Sequence, residues 1–149
     1  LIFLAGMLHD IGYLALAYLD PQRSDDLRTR LAIETERLAI DVERELLEIT
    51  HDELGAELAK QWNLPEQLVA AIRCHHVLDA QDAGETLPLA HIIHITEKLI
   101  PLNGLYEPVG REIAAEEWIA LGIAPAKADE IAVQAQEQAE QAAQFAVTS

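Results

Sequence analysis

The sequence is poor in several residue types that mark common protein classes. Cys74 is the only cysteine among 149 residues, which excludes an intrachain disulfide and a zinc site made of cysteines alone. Only 10 lysines and arginines stand against 26 aspartates and glutamates, for a formal net charge of −16. Nucleic-acid-binding proteins neutralise phosphates with clustered basic residues, so we exclude nucleic acid as a partner. The cysteine content fits a reducing compartment, and we expect a cytoplasmic protein.

Apolar runs long enough to cross a membrane are also lacking. The run from Leu1 to Leu8 ends at His9-Asp10, whereas a transmembrane helix needs about 20 apolar residues. We therefore expect a soluble domain with no membrane partner. The run begins without an N-cap, a basic flank or a cleavage site, and Leu1 is no natural initiator. We interpret the chain as a fragment whose N-terminal part is missing.

The apolar residues that are present recur at helical spacing. Hydrophobic residues make up 50% of the chain, enough for one buried core, and no segment alternates as a strand would. We predict an all-α helical bundle, with a core over 1–102 and a helical extension over 103–149 that packs on the core or on a partner. Predicted helices span 1–19 (buried), 24–49 (compatible with one break), 50–62, 65–76, 87–102, 114–121 and 125–147, with connections over 79–86 and 106–110.

Histidines and carboxylates form a non-random pattern. His9-Asp10, His51-Asp52 and His75-His76 combine imidazole nitrogen with carboxylate oxygen, a donor set that suits Fe, Mn, Zn or Mg. In a dinuclear hydrolase the aspartate would bridge two metals and a bound water would attack the substrate. The alternative is a His-Asp hydrogen bond that joins helices, and the residues alone favour this alternative.

Other candidates are weaker. His91, His94 and Glu97 share one helical face at metal-like spacing, but we interpret His91 and Lys98 as part of a solvated polar face. Cys74 lacks a third orienting group, so we expect a buried small side chain and not an activated thiol.

Four segments, in this order, resemble the HDOD domain of the HD superfamily. They are Leu8-His9-Asp10-Ile11-Gly12, then Ile49-Thr50-His51-Asp52-Glu53-Leu54-Gly55-Ala56-Glu57-Leu58-Ala59, then Trp62-Asn63-Leu64-Pro65, and finally His75-His76. The resemblance spans roughly residues 1–102, and the stretch from His51 to His76 is its most specific part. HDOD domains are helical, resemble the HD-GYP phosphohydrolases in fold, and in general lack a complete catalytic metal set. The resemblance therefore implies an HD-domain-like helical bundle.

The resemblance implies a degenerate or residual metal site. Five positions match metal ligands of the HD-GYP relatives: His9, Asp10, His51, His75 and His76. Glu97 stands near the place of a late aspartate, and any upstream histidine would precede Leu1. Val77-Leu78-Asp79 replaces the Gly-Tyr-Pro that follows the histidine pair in those relatives. The cofactor is therefore either absent or a residual divalent Fe, Mn, Zn or Mg ion.

The same resemblance implies a role in bacterial signal transduction, as a response-regulator output or a regulatory module. We expect a non-catalytic module that acts on other signalling proteins or on a sister domain of the full-length chain, with a homo-oligomer left open. One alternative is a metal-dependent phosphohydrolase acting on a nucleotide or phosphoester. A weaker alternative is a cyclic-dinucleotide sensor, in which Arg73 would bind a phosphate.

Overall fold

A computed structural model describes residues 1–78, 88–100 and 112–147, with the side chains of 146 and 147 excepted. No strand occurs within these ranges, so the all-α prediction is confirmed. The helices are α1 (Ile2–Leu8), α2 (Ile11–Leu19), α3 (Pro21–Ile33), α4 (Ala39–Leu47), α5 (His51–Gln61), α6 (Glu66–Cys74), α7 (Pro88–Leu99), α8 (Ala115–Ala120) and α9 (Ala128–Val147), the last preceded by a 3-10 turn over Pro125–Lys127.

Local signals set most of these boundaries. Asp20 caps α3 by accepting the N–H of Arg23 at 3.1 Å, and the predicted break within 24–49 separates α3 from α4. The capping box at the start of α5 is present, with the Glu53 carboxylate accepting the N–H of Thr50 at 3.2 Å. Pro65 directly precedes α6. The connections predicted over 79–86 and 106–110 lie outside the described residues.

The prediction of one buried helix over 1–19 is wrong. The chain forms α1 and α2, which meet at His9-Asp10, and their outer faces are exposed, with Phe3 at 75% and Tyr18 at 87%. Only 22% of the segment Ile2–Leu19 is buried. With 18 residues and a mean hydropathy of 1.6, this segment is long and apolar enough to cross a membrane, by length and composition only. Core helices of soluble proteins and signal sequences pass that test too. The composition alone therefore does not exclude a membrane, contrary to the prediction made from the interrupted run.

Two apolar cores meet at this helix junction. One core joins α1, α5, α6 and α7, and the other joins α2, α3 and α4. The first is built around Ala5, Ala56, Ala59, Leu68, Val69, Ala71, Ile72 and Ile93, and the second around Leu16, Leu27, Leu31, Ala39, Val42 and Leu47. His9-Asp10 therefore connects a helix of one core to a helix of the other, and this position faces the start of α5.

The C-terminal helices contact the end of α7. Lys98 of α7 pairs with Glu117 of α8 at 2.6 Å, and the side chain of Gln136 in α9 donates to the Leu99 carbonyl at 3.2 Å. Trp118 is buried, whereas Phe145 near the end of α9 is 75% exposed. Both α8 and α9 of the segment predicted as an extension thus contact α7.

Candidate metal centre

Six polar side chains from four parts of the fold come together beside α5. His9 and Asp10 come from the α1–α2 junction and His51 from the first turn of α5, while the other three follow α6 or lie near the end of α7: His75, His76 and Glu97. These are the six residues that the sequence singles out. These residues form two groups that share Asp10. The first group is Asp10, His51, His75 and His76, and the second is His9, Asp10 and Glu97. In each group the donor atoms lie within 4.8 Å of one another.

Three of the imidazoles are oriented by their Nδ1 atoms. His9 Nδ1 lies 2.7 Å from the Gly6 carbonyl, and His75 Nδ1 lies 2.7 Å from the Ile72 carbonyl. His51 Nδ1 lies 2.8 Å from a carboxylate oxygen of Glu43. Because carbonyl and carboxylate oxygens only accept, each Nδ1 carries the hydrogen and donates it. Each ring therefore presents Nε2 to the centre, the orientation that second-sphere acceptors give to metal-ligating histidines.

The Nε2 atoms of three histidines lie close to one another and to Asp10. His51 Nε2 lies 3.3 Å from His75 Nε2 and 3.1 Å from His76 Nε2, and Asp10 Oδ1 lies 3.4 Å from His51 Nε2. Ligands about 2.1 Å from one ion stand about 3.0–3.4 Å apart in octahedral or tetrahedral coordination. The spacing of this group fits a single metal position.

Asp10 joins the second group to the first. Its Oδ2 lies 3.2 Å from His9 Nε2, which in turn lies 3.2 Å from Glu97 Oε1. Its Oδ1 and both Glu97 oxygens are buried and make no well-directed hydrogen bond. Buried acceptors without hydrogen bonds are costly, and a cation would compensate these three. One aspartate thus presents a different oxygen to each group, as a bridging carboxylate does.

The charges of the centre follow from burial and contact. Burial opposes protonation of His9, but its close contacts with the carboxylates of Asp10 and Glu97 outweigh burial and raise its pKa to about 10. Burial raises the pKa of Asp10, but contacts with His51, His75 and His9 outweigh it and hold that pKa well below its usual range. In the metal-free chain, a proton on His9 therefore lies between the carboxylates of Asp10 and Glu97.

Sequence reasoning missed the residues that support His51. Glu43 is fully buried, accepts the backbone N–H of His51 at 2.8 Å and receives the Tyr13 hydroxyl at 2.6 Å. The Tyr13 ring also stacks on the His51 ring at 4.2 Å. Burial raises the pKa of Glu43, but the bonds from His51 outweigh it and lower that pKa. The sequence does contain a signal for Glu43, because this charged residue lies on the apolar face of α4 with Ala39 and Val42, where a buried carboxylate needs a partner.

Three interpretations of neighbouring residues need correction. His91 is buried, with its Nε2 unpaired, and Lys98 has a side chain only 12% exposed and bound to Glu117, so they do not form a solvated polar face. Cys74 is partly exposed and lines a cavity of about 450 Å³. It is therefore not a fully buried small side chain.

Two further polar residues lie outside the six-residue centre. Arg73 lines the same cavity as Cys74, together with Arg44 and Asp52, and none of the six centre residues lines it. Burial and the nearby Lys98 ammonium lower the pKa of His94, whose Nδ1 donates to the His75 carbonyl at 2.7 Å. The ligand role of Arg73 remains a prediction. His94 contacts the centre through the backbone of His75.

Comparison with known proteins identifies the family. The model of the HDOD domain matches residues 1–78, which include five of the six residues of the centre. An uncharacterized protein of Treponema pallidum (strain Nichols) is 32% identical over 76 residues, 51% of this chain and 15% of that relative. The chain thus spans only a small part of the curated relative, and no solved structure matches. The match over more than half of the sequence shows that this chain belongs to the HDOD domain family.

Proposed function

We propose that this HDOD domain is a signalling module whose core binds a divalent metal ion in a non-catalytic centre. Membership of the HDOD family supports a signalling module related to the HD superfamily. The observation that carries the proposal is the convergence of three imidazole Nε2 atoms on Asp10, with the Nδ1 atoms of His51 and His75 bound to acceptors on the far side. Hydrogen-bonded helix bridges alone would not require these lone pairs to face one another.

The donor set restricts the choice of metal. Three imidazoles and one carboxylate suit Zn, Fe or Mn, whereas Mg strongly prefers oxygen ligands. The second group, His9, Asp10 and Glu97, has more carboxylate than imidazole and suits Mn or Fe. An ion in the first group would join the α1–α2 junction to α5 and to the end of α6, and an ion in the second group would join that junction to α7. The expected role is therefore to stabilise one arrangement of these helices.

Cobalt substitution tests this proposal. Titration of the 149-residue chain with Co²⁺ should give visible d–d absorption that saturates at one or two equivalents. Asp10→Ala removes the residue that both groups share, and should abolish the bands. A wild-type chain that gives no such absorption, or an Asp10→Ala chain that gives the same spectrum, would show that the cluster does not bind the metal.

Contact between this domain and another part of the same protein is the proposed mode of action. The outer face of α1 and α2 exposes Phe3, Met7, Leu14 and Tyr18, each by more than 60%. Contiguous apolar surface of this kind marks interaction sites on soluble proteins. We propose that this face contacts another part of the full-length protein. Replacing Phe3 and Tyr18 by serine in the full-length protein should then loosen that contact, detected as faster proteolysis between domains, and unchanged proteolysis would refute it.

A metal-dependent phosphohydrolase is the second candidate. The observation in its favour is that Asp10 Oδ1 and Oδ2 face different ligand groups, as a bridging carboxylate does in two-metal phosphohydrolases. The absence of Gly-Tyr-Pro after His75-His76 opposes it. Manganese-loaded or iron-loaded protein should be assayed with p-nitrophenyl phosphate and with cyclic dinucleotides. Turnover above that of Asp10→Ala would replace the non-catalytic proposal with this one.

A further inference from the structure

Helix α8 contacts α7, next to the metal centre, through the carboxylate of Glu117. Glu117 Oε1 accepts from Lys98 Nζ at 2.6 Å and lies 3.1 Å from His94 Nε2. Glu117 Oε2 accepts the N–H of Ala114 at 2.8 Å, which fixes the carboxylate at the start of α8. A single side chain of α8 therefore contacts two residues of α7.

Those two α7 residues flank the centre. Lys98 directly follows Glu97, and His94 precedes Glu97 by three positions, so the three residues are neighbours on the helix. His94 Nδ1 donates to the backbone carbonyl of His75 at 2.7 Å. The Nε2 atom of that same His75 lies 3.7 Å from Asp10 Oδ1. Of the six residues of the centre, Glu97 thus lies on the segment that Glu117 contacts, and His75 is bonded to it.

We propose that Glu117 is a positioning residue for the metal centre, and that docking of α8 on α7 is coupled to metal occupancy. The inference rests on the proposed function, because it requires that the cluster bind a metal. With Glu117 in place, α7 keeps the rotation that directs Glu97 and His94 toward the cluster. Linkage is reciprocal, so docking strengthens metal binding by the same factor by which the metal stabilises docking.

The proposed coupling links metal occupancy of the centre to the C-terminal helices α8 and α9. The family match covers residues 1–78, so α8 and α9 lie beyond it. Gln136 of α9 donates to the carbonyl of Leu99, the residue after Lys98. Both C-terminal helices thus rest on the same end of α7. A change of metal occupancy would be transmitted to helices that a partner or a sister domain can contact.

Metal affinity tests the positioning role. Glu117→Gln keeps the size of the side chain and removes its charge, and should weaken Zn²⁺ binding about tenfold, within the usual range of coupling. Glu116→Gln is the matched control, since Glu116 is exposed on the same helix, and should retain the wild-type Kd. His94→Asn keeps an N–H donor near the Nδ1 position and should preserve the Co²⁺ absorption spectrum, which His94→Ala should shift.

Tryptophan fluorescence tests the coupling itself. Trp118 of α8 is 5% exposed and Trp62 is 53% exposed, so Trp62→Phe leaves a fluorophore that reports docking. Zn²⁺ should reduce acrylamide quenching of Trp118 in this background and with Glu116→Gln, and have less effect with Glu117→Gln. If Glu117→Gln proves too unstable to fold, the effect of Zn²⁺ on Trp118 quenching in the Trp62→Phe chain decides.

The outcomes separate the two proposals. An unchanged Zn²⁺ Kd in Glu117→Gln, with Trp118 quenching insensitive to Zn²⁺ in the Trp62→Phe chain, would overturn the coupling and leave the metal centre intact. A wild-type chain that binds no Zn²⁺, Mn²⁺ or Co²⁺ would overturn both. A weaker Kd in Glu117→Gln, together with metal-dependent protection of Trp118, would support the coupling.

Discussion

The backbone of Gly12 lies so close to the carbonyl oxygen of His51 that a Cβ atom at residue 12 would be 1.9 Å from it. Gly55 packs on the same crossing, where its own Cβ would meet Gly12 N at 3.2 Å. This contact between α2 and α5 brings Asp10 and His51 together. The absence of a side chain at residue 12 therefore allows α2 and α5 to approach closely enough for Asp10 to reach His51.

Gly12→Ala should destabilise the fold and displace Asp10 from His51. The new methyl group meets backbone atoms that cannot rotate away, so we expect a loss of about 2 kcal/mol or more in the free energy of unfolding. Gly6→Ala is the control, because nothing lies within 4 Å of a Cβ there. Urea denaturation measures both. Equal stability of the two variants would contradict the close crossing.

Glu43→Gln should weaken metal binding without unfolding the chain. Glutamine can still accept one hydrogen bond from His51, but it loses the charge that orients and polarises the imidazole. Replacing such a supporting group typically costs 10–100-fold in metal affinity. The control is Glu36→Gln, which changes an exposed glutamate before α4. Competition titration with a chelating dye gives both Kd values, and the role assigned to Glu43 requires them to differ.

Tyr13→Phe should cost stability through one hydrogen bond. The variant keeps the ring that stacks on His51 and loses the hydroxyl that donates to Glu43 at 2.6 Å. A hydrogen bond to a buried charge contributes about 1.5–3 kcal/mol, and we expect a loss in this range from denaturant titration. Tyr18→Phe, at an 87% exposed residue, should change little. Losses of the same size in both variants would contradict this assignment.

The metal-free chain should lose stability as the pH rises toward 10. The pKa of His9 is raised from 6.5 to about 10, so its contribution is complete below about pH 6.5 and disappears as the pH passes through 10. Unfolding by urea with EDTA present, at pH 7, 8.5 and 10, measures this decline. His9→Gln lacks the titrating ring and should show a shallower decline. Parallel curves would show that the His9 proton does not stabilise the fold.

The helix boundaries and the residues of the centre were largely predictable from the sequence, because they depend on local signals. Thr50 and Glu53 cap α5, Pro65 precedes α6, and Asp20 precedes α3, each through chemistry confined to a few residues. The six residues of the centre were identified by residue type and by family resemblance. Their convergence is a tertiary property that spacing alone does not establish.

The predictions that were wrong concern features that depend on packing between helices. Apolar residues all round 1–19 suggested burial, but α1 and α2 bury only one side, and Tyr18 stays exposed. His91 was assigned with Lys98 to a solvated polar face, yet α7 packs His91 inward. Glu43 was missed because its partner lies eight residues away on another helix. Contacts between helices are not encoded in the periodicity of either helix.

The metal content of the chain tests the central claim most directly. The 149-residue protein, dialysed against Zn²⁺ or Mn²⁺ and then against buffer, should retain at least one ion per chain by elemental analysis. Asp10→Ala should retain none, whereas Asp129→Ala, which removes an exposed carboxylate on α9, should match the wild type. Wild-type protein that holds no more metal than Asp10→Ala would contradict the account.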